Sequence, residues 1–334
     1  MEKIKLAIVG ATGLVGQTFL HILEEENLDN VEVKLFASSK SEGNKVKFND
    51  KYHIVHALDD ESFDDVDYAC FFSSATISKI YIPIALKKNV KVIDNSSYYR
   101  MKENVPLIAY GVNENLINNT NQLIANPNCC VIQSIIPIAL LQDYRIKKII
   151  YNTYQSVSGS GKQGIDDLIR CRKGFVPLFY ETDISFTCIP KIGDYESNDF
   201  TEEENKIIKE TKKILNNNEI DVVSTCVRVP VMFSHGVSIQ VELEKEFDIE
   251  KIKQIFDSQK NIVFCDKIPP TSVLSCKNDK VYVGRVRKHN NSVLFYCVAD
   301  NIRVGAATNA FLILKKLISL KENYTYEKWW YSKR

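Results

Sequence analysis

Ile4-Lys5-Leu6-Ala7-Ile8-Val9-Gly10-Ala11-Thr12-Gly13-Leu14-Val15-Gly16 is a short apolar run that breaks into three spaced glycines. A run of this length and composition reads as a buried strand, and residues 14–26 beyond it carry apolar side chains at helical spacing. Glycines between a strand and a helix let the backbone approach a bound anion while the free N–H groups of the helix start face it. Three glycines alone are a common turn. Their place directly after the first strand of an alternating pattern is what points to a dinucleotide phosphate loop.

That pattern continues outward from the loop. Residues 31–37, 68–72 and 90–93 read as further strands, and residues 79–88 as a helix between the last two. Strand–helix–strand alternation predicts a parallel, doubly wound sheet of Rossmann type. The pattern changes after Asn126-Pro127-Asn128. Longer strand candidates follow at 147–157, 221–230, 237–243, 282–286 and 292–299, several of them consecutive, with a charged helix at 202–215 stopped by Asn216-Asn217-Asn218. This half therefore reads as α+β with a mixed sheet. A last helix at 306–320 offers Leu312, Ile313, Leu317 and Ile318 for packing back on the first half. The expected fold is α/β, with an NADP-binding domain from residues 1–126 and 301–334 and a catalytic and dimerisation domain from residues 127–300. The aromatic tail, Tyr324, Tyr326, Trp329, Trp330 and Tyr331, is expected to pack on the body or on a partner subunit.

Composition narrows the function. The chain has 334 residues, 45% hydrophobic and 25% charged, which is enough for two full cores. Lys+Arg 43 against Asp+Glu 42 leaves no basic excess, which argues against nucleic acid or a membrane surface as partner. No stretch approaches 18 uncharged apolar residues, and the first residues lack the features of a secretory signal, so a cytoplasmic protein is expected. The nine cysteines are odd in number, and none has zinc-site spacing. Reduced, buried thiols and no metal are the expectation.

The second strand candidate ends Leu35-Phe36-Ala37-Ser38-Ser39-Lys40-Ser41. A site for NAD usually places an acid there for the ribose 2′-hydroxyl. Small hydroxyls and Lys40 suit a 2′-phosphate instead, so NADP is the expected cofactor.

Leu123-Ile124-Ala125-Asn126-Pro127-Asn128-Cys129-Cys130 reads as a strand, a turn, and a thiol at the mouth of an apolar helical run. A helix start stabilises a thiolate, which makes a nucleophile of a cysteine placed there. A nucleophile needs a base. Of the five histidines, His21 falls in the dinucleotide helix, His53 and His56 near a probable turn, and His289 in a polar turn. His235 follows the strand Arg228–Ser234 and precedes a glycine, a strand end of the kind that carries catalytic groups.

Taken in order, GATGLVG, SSKS, DNSSYYRM, NPNC, TYQSVSGSG, EENK, RVPVMFSH and DNIRVGAA resemble the aspartate-β-semialdehyde dehydrogenase family over nearly the whole chain. The resemblance implies Cys129 as nucleophile, His235 as general acid/base and Gln155 as the group orienting the acyl intermediate. It implies Arg228 as a bidentate clamp for the substrate carboxylate, Glu203 for its ammonium, and Lys206 and Arg100 for phosphate. It assigns Gly10, Thr12, Gly13, Leu14, Val15, Gly16, Lys40, Ser41, Ser158, Gly159 and Asn301 to the cofactor. The implied reaction is NADPH-dependent reductive dephosphorylation of β-aspartyl phosphate through a Cys129 thioester. Its partners are a small-molecule substrate and inorganic phosphate, in a homodimer or homotetramer. Each residue has a plainer reading alone: Arg100 and Arg228 as ion pairs, Glu203 and Lys206 as a helical pair, 158–161 as a turn.

Three features depart from the family's pattern. Cys130 stands where a small hydroxyl residue is common, so motif position alone selects Cys129. Gly111 stands where Glu is expected before Val112-Asn113. The stretch between Gly161 and Glu203 is short. Neighbouring readings keep the same cysteine chemistry with an N-acetylglutamyl phosphate or malonyl-CoA substrate, and Arg228 with Glu203 favours the amino acid. A non-catalytic NADP-binding paralogue is the alternative outside enzymes.

Overall fold

A computed structural model describes residues 3–28 and 30–331, with side chains as far as Lys321. The chain divides into two compact units, Met1–Pro127 with Ala307–Arg334 and Asn128–Ala306.

In the first unit β1 (Ile4–Val9) turns at Gly10 into α1 (Leu14–Glu25). It continues through β2 (Val31–Ala37), β3 (Lys45–Phe48), β4 (Lys51–Ala57), β5 (Tyr68–Phe71), α2 (Ala75–Lys87), β6 (Lys91–Asp94) and β7 (Leu123–Ala125). The sheet runs β3-β4-β2-β1-β5-β6-β7, parallel except where β3 pairs antiparallel with β4. Leu6, Ala7 and Ile8 are fully buried, because a parallel sheet is covered on both faces; that is why β1 reads as a continuous apolar run. Strand order reverses at β1, whose neighbours are β2 and β5. Ligands of doubly wound sheets bind at the carboxyl end of such a strand, and Gly10 stands there.

Gly10 has a φ of 89°, and a Cβ there would lie 2.3 Å from the Phe72 carbonyl oxygen. A Cβ at Gly16 would lie 2.3 Å from the Gly10 carbonyl oxygen, so the loop closes only with glycine at both positions. Gly10→Ala combines a disfavoured backbone with a main-chain clash. A loss of about 2–4 kcal/mol is expected, read as a lowered thermal midpoint together with lost nucleotide binding.

Two local expectations are corrected in this unit. His53 and His56 lie within β4 rather than near a turn, because the turn falls earlier, at Asn49 and Asp50 with φ of 47° and 59°. Positive φ at two consecutive residues is the geometry of a two-residue hairpin. The helix before β6 also begins earlier than residue 79, at Ala75, where Ser74 Oγ accepts the Ile77 N–H.

The last helix, Thr308–Tyr331, belongs to the first unit and places Phe311, Leu314 and Leu317 in the same core as Leu6, Phe19 and Leu35. Each such side chain contributes roughly 1.5–3 kcal/mol by burial. The unit resumes at Ala307 rather than at residue 301, since residues 300–306 fold around Asp300. Asp300 accepts the N–H groups of Ile302 and Arg303, and Arg303 pairs with Asp279 at 2.6 and 3.0 Å. The side chains of Tyr324, Tyr326, Trp329, Trp330 and Tyr331 lie outside the described residues.

The second unit contains α3 (Cys129–Ala139), β8 (Ile146–Gln155), α4 (Gly161–Arg172), α5 (Glu202–Ile214), β9 (Asp221–Arg228) and β10 (His235–Leu243). After these come α6 (Ile249–Asp257), β11 (Ile262–Cys265), α7 (Ser272–Ser275), β12 (Val281–His289) and β13 (Ser292–Ala299). Its sheet, β11-β12-β13-β10-β8-β9, is mixed: β8 with β9 and β11 with β12 are parallel, the rest antiparallel. α3 is buried on every side from Cys130 to Ile138, as a helix apolar at all but Gln133 and Ser134 must be. Among the described residues no helix is long and apolar enough to cross a membrane.

Candidate active site

The nucleophile candidate is built on the start of α3. Asn128 caps the helix, its Oδ1 accepting the N–H groups of Cys130 at 2.9 Å and Val131 at 3.4 Å. Its Nδ2 donates to Glu203 at 2.8 Å, and its main-chain N–H donates to Glu210 at 2.6 Å. Two carboxylates on α5 therefore hold the residue that orients the helix start. Cys129 is half-buried at the first helical position and Cys130 fully buried at the second. Burial pushes the Cys130 thiol well above its usual range, aided by its hydrogen bond with Cys129 and the nearby Glu203 charge. A Cβ at Gly305 would lie 2.7 Å from the Cys129 Cβ, so that glycine makes room for the nucleophile.

His235 opens β10 and is completely buried. Its Nδ1 lies 3.0 Å from both the main-chain nitrogen and the hydroxyl of Ser156. A main-chain N–H can only donate, so Nδ1 accepts and the neutral ring carries its proton on Nε2. Nε2 is buried with no hydrogen-bond partner among the described residues. An orphaned polar atom in a native interior calls for an explanation, and a reacting group is one. The ligand-capable atoms of Cys129, Cys130 and His235 all lie within 4.8 Å of one another. Gln133, on α3, donates to the His235 carbonyl at 2.8 Å and so ties the nucleophile's helix to the histidine's strand.

Around this centre Gln155, at the end of β8, donates to Glu203 at 3.2 Å. Arg228, at the end of β9, is buried and donates to the Ser156 carbonyl at 2.7 Å. A Cβ at Gly159 would stand 2.7 Å from Arg228 Nη1 and 3.1 Å from His235 Nε2, so glycine lets both approach. Asn301 Oδ1 collects Ser156 Oγ, Ser158 Oγ and the Ser234 N–H at 3.0–3.1 Å. Ser234 itself sits at a φ of 71°, a strained conformation of the kind found at functional sites.

Two family models match the chain: a semialdehyde dehydrogenase NAD-binding domain over residues 5–120, and a semialdehyde dehydrogenase dimerisation domain over residues 138–304. The aspartate-semialdehyde dehydrogenase of Campylobacter jejuni is 36% identical over 96% of this chain and 99% of its own. The chain belongs to the aspartate-semialdehyde dehydrogenase family. The Aquifex aeolicus member is 38% identical over 94% of this chain and 98% of its own. The crystal structure of aspartate semialdehyde dehydrogenase II of Vibrio cholerae, complexed with ASA, superposes with a TM-score of 0.91 at 36% identity, covering 96% of this chain and 99% of that one. A Candida albicans structure with NADP has a TM-score of 0.78 at 22% identity, a likeness of fold. The two-domain α/β reading therefore holds, as does the assignment to oxidoreductases of aldehyde groups.

Within this dehydrogenase fold the second unit gathers Cys129, Gln155, Glu203, Arg228, His235, Ser158, Gly159 and Asn301 around shared hydrogen bonds. Lys206 lies 3.5 Å from Glu202 and 4.0 Å from Glu203, so the anticipated helical pairing is present. In the first unit Gly13 stands at the cap position before α1 and has no side chain to cap it, leaving first-turn N–H groups for a ligand. Thr12 Oγ1 donates to Ser41 Oγ at 3.5 Å, beside the exposed Lys40. Arg100 is buried, donating to the carbonyls of Asn126 and Asn95 at 2.8 Å. Gly111 has a φ of 90° and its N–H is accepted by Glu114 at 2.9 Å, so here the turn itself requires glycine. Sequence reading missed Ser156, Gln133, Glu210 and Gly305; only Ser156 and Gly305 fell inside quoted motifs.

Proposed function

We propose that this chain makes aspartate semialdehyde by NADPH-dependent reductive dephosphorylation of β-aspartyl phosphate, with Cys129 carrying the acyl group. One observation carries the residue roles: the start of a capped helix brings Cys129 near a fully buried His235 whose Nε2 has no hydrogen-bond partner among the described residues. The Cys129 thiolate, favoured by the helix start, attacks the acyl phosphate carbon, a C–S bond forms, and the C–O bond breaks as phosphate leaves with its electron pair. NADPH, when bound, supplies hydride to the resulting thioester. The thiohemiacetal then collapses, the C–S bond breaking as the aldehyde forms. His235 Nε2–H stands ready to stabilise the departing sulfur and to take part in proton transfer.

Gln155, held by Glu203, orients the acyl carbonyl, and Arg228 clamps the substrate carboxylate in two-point fashion. Glu203 receives the substrate ammonium, and Arg100 and Lys206 receive inorganic phosphate. Gly10, Thr12, Gly13, Leu14, Val15 and Gly16 cradle the pyrophosphate at the start of α1. Ser158, Gly159 and Asn301 serve the nicotinamide half.

Lys40 and Ser41 take the 2′-phosphate of NADP, with no acid at the end of β2 to hold a 2′-hydroxyl. Lys40→Glu is expected to raise KM for NADP by roughly 10–100-fold, the value of one charge-assisted contact, with little change for NAD. Initial rates with the two cofactors check this.

Self-association as a homodimer or homotetramer is supported by the large apolar side chains exposed on one short stretch, Phe175, Val176, Leu178, Phe179 and Phe186. Light scattering of the purified protein separates the two. Nine cysteines outside any disulfide suit the cytoplasm.

The decisive assay is phosphate-dependent NADP reduction with aspartate semialdehyde, set against the N-acetylglutamate and malonate semialdehydes. A preference of roughly 100-fold or more in kcat/KM is expected, since buried groups left unpaired by the wrong substrate penalise it strongly. No turnover with aspartate semialdehyde would refute the substrate assignment.

A further inference from the structure

We propose that Cys129, Cys130 and His235 form a binding site for a thiophilic divalent cation of the Zn2+ type, and that filling it withdraws the nucleophile from the reaction. The inhibitory half rests on the catalytic roles given above; the binding half does not.

Sequence spacing shows no such site, because its ligands are adjacent thiols and a histidine from a distant strand. In space the three ligand atoms lie within 4.8 Å of one another. Tetrahedral coordination at Zn–S of about 2.3 Å and Zn–N of about 2.0 Å sets ligand atoms roughly 3.3–3.8 Å apart, so a closure of about 1 Å completes the site. Two sulfurs and an imidazole are the donor set such cations prefer. His235 is fully buried, and its Nε2 is the orphaned atom of the cluster. Cys129 is half-buried, which provides the route in and leaves the fourth position to water or substrate.

Binding is balanced by protons. The Cys129 and Cys130 thiols release one proton each, so two thiolates neutralise the cation and no net charge is buried. His235 must present a bare Nε2, so its ring proton moves to Nδ1. Ser156 Oγ, 3.0 Å from Nδ1, can accept it there, replacing the main-chain N–H contact. The costs are a Ser156 N–H left facing a protonated Nδ1 and the removal of the proton from the buried Cys130 thiol, which the metal–sulfur and metal–nitrogen bonds must exceed.

Oxidation of the pair to a disulfide fits less well. Consecutive Cα atoms are about 3.8 Å apart, short of the usual disulfide range of about 4.4–6.8 Å. Both residues also lie in helix pinned by the Asn128 cap. A cation between the sulfurs needs no S–S bond and tolerates that backbone.

Cys130 makes the inference testable, because it lies outside the proposed reaction. With purified enzyme and Zn2+ as probe, inhibition is expected at one Zn2+ per chain, reversed by a chelator. Cys130→Ser should retain activity within about two-fold of the parent and need at least ten-fold more Zn2+ for half-inhibition. Equal Zn2+ sensitivity in parent and variant would overturn the site. X-ray absorption on the Zn2+-loaded parent is independent of activity and of whether the variant folds. Two sulfurs and one imidazole nitrogen are expected; one sulfur or none would overturn the proposal. Loss of the semialdehyde activity with that ligand set intact would refute the proposed function alone.

Discussion

Cys129→Ser is expected to lower kcat by about 10⁴-fold or more while leaving nucleotide binding and the thermal midpoint near those of the parent. The hydroxyl is a far weaker nucleophile than a thiolate, and nothing at the start of α3 would deprotonate it as readily. The structural cost is small, because Cys129 is half-buried and the helix is capped by Asn128, not by the thiol. Steady-state assay with titration of NADP measures both quantities. Cys130 tests the same assignment from the other side. It is wholly buried and its thiol is pushed well above the usual range, so at neutral pH it is protonated and slow to react. Iodoacetamide is therefore expected to inactivate the parent by labelling Cys129 first, and Cys130 in its place would contradict the assignment.

His235→Asn is expected to cost about 10²–10⁴-fold in kcat. Asparagine is the informative replacement because its Oδ1 can take the place of Nδ1 and still accept the Ser156 N–H. Alanine would leave that N–H buried without its partner, at about 1–3 kcal/mol. A fall in activity with His235→Asn at unchanged thermal midpoint then isolates the lost Nε2–H. Unchanged kcat in this variant would show that another group handles the proton.

How far the chain could be read from its letters depended on the range of the forces involved. β1 was legible because its four positions from Leu6 to Val9, covered on both faces, are all apolar, and Gly10 because its φ of 89° and the Phe72 carbonyl leave no room for a side chain. β3 and β4 were not legible: Lys45, Val46, Lys47 and Phe48 pair with a strand of mixed polarity at the sheet edge, where no apolar run is required. α4 was hidden behind residues 158–161, which read as a turn; within it Gly164 is required because a Cβ would lie 2.5 Å from the Val157 carbonyl oxygen.

The site shows the same division. Motif order selected Cys129 and His235, but nothing local distinguished Cys129 from Cys130; burial does, through packing contributed by distant strands. Glu210 and Gln133 escaped notice because their partners, Asn128 and His235, are far away in sequence. Arg228 had an ion pair as its plainer reading, and the structure instead places it on the Ser156 carbonyl beside Gly159. The cluster of Cys129, Cys130 and His235 has no spacing signature, since chain folding alone brings it together.

Mass spectrometry of the enzyme quenched in acid after incubation with β-aspartyl phosphate, NADPH withheld, tests the central claim most directly. The account predicts one aspartyl group per chain, lost on mild base treatment as a thioester is, with fragmentation placing it on Cys129. An adduct on Cys130, or no adduct on either sulfur in enzyme that turns over once NADPH is added, would contradict it.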